Sequence, residues 1–83
     1  MANISKNAVE TIKDLNEKLF EAEWKLEQQQ RAVSKYRYYL AADPTADSVM
    51  DLRGSMANLK AYEKNVADIR RSLDKAIDNI WSL

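Results

Sequence analysis

Leu40-Ala41-Ala42-Asp43-Pro44-Thr45 holds the chain's single proline and lies near its middle. Proline drives the residue before it toward extended backbone and suits the first position of a helix, and Asp is a preferred N-cap. The segment therefore predicts a first helix over about residues 5–41, a turn at 42–44 and a second helix over about 44–81. At the front, Asn7 and Glu10 have capping-box spacing, with Asn3 and Ser5 as alternative caps. Gly54, the one glycine, interrupts the second helix at a cost of about 1 kcal/mol relative to Ala, which a long helix absorbs.

Working outward from the turn, both halves carry a heptad. Ala8, Ile12, Leu15, Leu19, Ala22, Leu26, Gln29, Val33, Tyr36 and Leu40 alternate four and three apart without a slip. Val49, Leu52, Met56, Leu59, Glu63, Val66, Arg70, Leu73, Ile77 and Ile80 alternate likewise, with Tyr62 and Ile69 beside the two charged members. This is the seam pattern of a coiled coil. A chain folded back at Asp43-Pro44 sets Leu40 opposite Val49, Val33 opposite Met56, Ala22 opposite Val66 and Ala8 opposite Ile80, so the two seams stay in step. The expected fold is all-α: an antiparallel, coiled-coil-like two-helix hairpin forming one domain over 1–83. Each helix, at about 1.5 Å per residue, would be about 54 Å long.

Charge favours the same fold-back. Arg31, Lys35 and Arg37 precede the turn and Asp43, Asp47 and Asp51 follow it, so opposite signs meet there. Further along, Glu17, Glu21, Glu23 and Glu27 lie level with Lys60, Lys64, Arg70 and Arg71. Exposed pairs of this kind select antiparallel over parallel pairing more than they stabilise the fold. Glu63 and Arg70 on the seam would fix register.

Composition narrows the function. With no His and no Cys among 83 residues, the chain has no imidazole base, no thiolate and no nitrogen or sulfur ligand for structural zinc. There is no Gly-rich phosphate loop, and a two-helix rod offers no concave substrate site. No enzymatic activity, cofactor or metal is expected. Lys+Arg and Asp+Glu number 13 each, so nothing electrostatic points to nucleic acid or an anionic membrane. No apolar run reaches a membrane span and the start lacks a secretory h-region, which gives a cytoplasmic expectation with signal-less secretion as the other route.

Two hairpin seams make a thin core, and small domains without disulfide or metal gain stability by association. The candidate surfaces are therefore apolar residues left outside the seam. Phe20 and Trp24, one turn apart, and Tyr38, two heptads beyond Trp24, lie on the outer side of the first helix and are the expected contacts for another protein. Tyr39, Tyr62 and Ile69 lie on one flank of the seam and are the expected self-association residues of a four-helix dimer. Val9, Trp81 and Leu83 would clasp the open end. Lys35-Tyr36-Arg37-Tyr38-Tyr39 mixes basic and aromatic residues that suit stacking on single strands, but a helix points them in different directions.

In layout, the chain is similar to the needle subunits of type III secretion systems: comparable length, no Cys, and a helical hairpin about a Pro-containing turn. The Leu40–Thr45 turn and the run Leu52, Met56, Leu59, Ala61, Tyr62, Ile69, Leu73, Ile77 and Ile80 resemble that family's second helix. The segment from Lys13 to Arg31 departs from it, being far more charged than a subunit buried in a filament. The resemblance implies self-assembly into a helical filament. Three functions thus stand at the level of sequence: a small adaptor or inhibitor docking a helical face on a larger protein, of the kind phages and mobile elements encode; a filament subunit; and a four-helix RNA-binding dimer.

Overall fold

The computed structural model describes residues 5–81, the side chain of Trp81 excepted. Two helices, α1 (Lys6–Ala42) and α2 (Ala46–Trp81), pack as an antiparallel hairpin measuring 63 × 15 × 14 Å. The all-α hairpin read from the heptads is the fold of the protein. Of the expected open-end clasp, Trp81 and Leu83 lie outside the described side chains, and Val9 is half exposed.

Local chemistry moves the helix boundaries slightly from where the sequence placed them. Ser5, not Asn7, caps α1: its backbone is extended and its hydroxyl accepts the Ala8 N–H at 3.1 Å. At the other end the Asp43 N–H donates to the Tyr39 carbonyl at 2.9 Å and closes the last turn. Thr45, rather than Asp43, caps α2. Its Oγ1 accepts the Ser48 N–H at 3.0 Å and its carbonyl accepts the Val49 N–H at 3.1 Å. Pro44 therefore stands before the cap and not at the first helical position. The Ser48 hydroxyl reaches back to the Asp43 carbonyl at 2.9 Å, which ties α2 to the end of α1 through the three-residue connection.

The core is narrow. Leu19, Ala22 and Val66 are buried, with Leu26, Ile69 and Leu73 packed against them. Along α1 the covered positions are those of the predicted heptad, with Ala32 beside them. Along α2 half of the prediction is corrected. Leu52, Leu59, Val66, Leu73 and Ile80 face α1 as expected, but their partners on the seam are Ser48, Ser55, Tyr62, Ile69 and Ala76, each one residue earlier than Val49, Met56, Glu63, Arg70 and Ile77. Both sets keep three-four spacing, so periodicity cannot separate them. Energetics can: the earlier set removes Tyr62 and Ile69 from water, whereas the later one would bury Glu63 and Arg70, and an uncompensated buried charge costs several kcal/mol. Leaving Val49, Met56 and Ile77 partly in water costs less, since full burial of each is worth about 1.5–3 kcal/mol.

The rotation brings a polar layer into the seam. Ser55 is 5% exposed, and Gln29 Nε2 donates to its carbonyl at 2.9 Å and its hydroxyl at 3.1 Å. The Gln29 position, read from sequence as a seam member, thus meets a serine that the expected heptad of α2 had left outside the seam.

Candidate functional site

The outer face of α1 follows directly from the placement of its seam. With Leu19, Ala22 and Leu26 turned toward α2, helical geometry sends Phe20, Trp24 and Tyr38 to the opposite side. They are 67%, 61% and 72% exposed, and among the large apolar residues described only Met50 on α2, at 69%, is comparably open. Phe20 and Trp24 line one open groove with Glu23, Glu27 and Arg70, whose floor is Leu26 and Val66. The Arg70 guanidinium lies 4.0 Å from the Glu23 carboxylate across the hairpin. The rim is therefore charged and the walls aromatic, a combination found at binding surfaces.

Ion pairing is mostly internal to each helix, which revises the expectation of pairs across the hairpin. Lys13 pairs with Glu17 at 3.8 Å, Lys25 with Glu21 at 3.3 Å, Arg31 with Glu27 at 2.9 Å, and Arg71 with Asp68 at 3.7 Å. Their side chains stay 49–79% exposed. They contribute little to stability.

The expected self-association flank does not survive the rotation of α2. Tyr62 and Ile69 are half-buried within the hairpin's own seam, and Ile69 packs on the core. Tyr39 stays 47% exposed, its ring edge-on to Tyr36 at 6.2 Å and to Tyr38 at 6.4 Å, with Lys35 Nζ 5.6 Å from its centroid. The basic and aromatic cluster thus packs against itself, with Tyr36 turned toward α2.

The sequence reading missed a second apolar surface. Val49 and Met56, left 52% and 47% exposed by the rotation, line a groove with Leu52 and Ala57 between Arg53 and Lys60. The charged members Glu63 and Arg70 in the chosen heptad were the available signal, because they argue for turning that stripe outward.

Among the described residues, no helix is long and apolar enough to cross a membrane, and no group of three acidic, His or Cys side chains could hold a metal ion. No protein-family model matches the chain, and no curated protein or solved structure matches it significantly.

Proposed function

We propose that this protein is a non-enzymatic protein-interaction module that docks through the outer face of α1. The observation that carries this reading is the pair Phe20 and Trp24, two large rings held one turn apart by a rigid helix and more than half exposed. Rings so placed lose little conformational freedom on docking, and an aromatic anchor in a charged rim is the usual composition of an interface hot spot. Tyr38 extends the stripe toward the turn. The small core supplies a reason for association, since two helices alone bury few side chains fully.

A photo-crosslinking residue placed at Gln28 or Ser34, both exposed on α1, tests the reading in producing cells against one at Asn58 on α2. Covalent adducts are expected at the α1 positions and are expected to vanish with Phe20→Ala/Trp24→Ala. Adducts that form equally at all three sites, or that ignore the double substitution, would sink it. A filament subunit is the second reading, favoured by the Val49/Met56 groove, because an open assembly needs two different adhesive faces.

A further inference from the structure

The docking face of α1 has an order that names its occupant. Along its most outward stripe, at seven-residue intervals, stand Glu10, Glu17, Trp24, Arg31 and Tyr38. Acidic residues occupy one side of Trp24 and a basic residue the other. We propose that a second copy of this chain covers the face, α1 against α1 in antiparallel orientation, with Trp24 on the two-fold axis. This rests on the docking reading above and assigns its partner.

A two-fold contact is self-complementary, so each pairing away from the axis is made twice. Turning a second α1 about Trp24 brings Glu17 of each copy to Arg31 of the other. On one flank Asp14 comes to Lys35 and Glu21 to Gln28. On the other flank Phe20 comes beside Glu27. No two like charges meet in this set. The parallel alternative would stack Glu17 on Glu17 and Arg31 on Arg31, which disfavours it. Glu17 and Arg31 already hold Lys13 and Glu27 within α1, but their side chains remain 63% and 70% exposed and can serve both neighbours. The outer face of α2 lacks this order, since Lys64 stands near its middle and would confront its own copy.

Four rings at the centre, two from each copy, would leave water together. At about 150–250 Å² per fully buried aromatic, and with roughly two thirds of each ring now exposed, they supply about 500 Å², below the standard interface total of about 1,600 Å². The dimer is accordingly expected to dissociate on dilution.

Sedimentation and light scattering of the purified full chain over a concentration series provide the test. Wild type is expected to pass from monomer to dimer, and Trp24→Ala to raise the dissociation constant about tenfold or more. Glu17→Arg and Arg31→Glu are each expected to weaken the dimer. Mixing these two variants in equal amounts is expected to restore it, because every introduced charge then meets its opposite in an antiparallel pair. Helicity measured by circular dichroism checks that each variant folds, and Trp24→Gln replaces Trp24→Ala if the latter does not. A wild type that stays monomeric, a dimer indifferent to Trp24, or failure of the mixture to regain affinity each overturns the proposal. If the chain is monomeric while α1 adducts to other proteins persist in cells, the second copy is excluded and the docking reading stands; loss of those adducts removes both.

Discussion

Gly54 sits on the exposed side of α2, and a Cβ built there would have nothing within 4 Å. No turn, close approach or positive φ calls for glycine at this position. Gly54→Ala is therefore expected to stabilise the hairpin by about 1 kcal/mol, through the lower backbone entropy of the unfolded chain and better helix propensity. Thermal denaturation should show a rise in Tm of about 4–8 °C. The opposite sign belongs at Gln29 and Ser55, which answer each other across the seam. A double-mutant cycle with Gln29→Ala and Ser55→Ala should give a coupling energy of about 0.5–1.5 kcal/mol; because Gln29 also bonds the Ser55 carbonyl, Ser55→Ala alone should cost less than Gln29→Ala. Equal single costs with no coupling would show that the polar layer is solvated and not paired.

At the scale of elements, caps decide where helices start, and Thr45 and Asp43 make a discriminating pair of substitutions. Thr45→Ala removes the acceptor for the Ser48 N–H and should cost about 1 kcal/mol in denaturant unfolding, whereas Asp43→Ala, which removes no observed side-chain bond, should be near neutral. The reverse ranking would restore Asp43 as the cap suggested by the Asp-Pro dipeptide. This element also shows what could be read in advance. The hairpin, its turn and the whole seam of α1 were legible because an apolar repeat interrupted once leaves few alternatives. The seam of α2 was legible only at Leu52, Leu59, Val66, Leu73 and Ile80, which two equally regular heptads share. Choosing between them required weighing Glu63 and Arg70 against Ser48 and Ser55, a comparison of desolvation costs and not of spacing. The outer stripe of Phe20, Trp24 and Tyr38 was legible because it depends on the seam of α1 alone. The flank of Tyr62 and Ile69 was misplaced because it depends on α2.

For the molecule as a whole, apolar burial is concentrated at mid-length, at Leu19, Ala22 and Val66, while positions toward the open end are covered only in part. Amide exchange should reproduce this gradient. Protection is expected to be greatest around residues 19–26 and 62–69, and least between residues 6 and 11, with the turn end intermediate because its caps hold it. Uniform protection from end to end would mean that the hairpin opens only as a unit. One further consequence follows from the seven-residue repeat. A helix of 3.6 residues per turn falls short of that repeat by about 20° per heptad, so a seam kept in contact makes the two helices coil left-handedly about each other. The outer stripe winds with them, and Tyr38, two heptads from Trp24, has swung by about 40°. In the proposed dimer, two rods touching at Trp24 would diverge toward their tips like crossed spars. The joint would be a pivot that covers Trp24 and leaves Tyr38 outside the contact between the two copies.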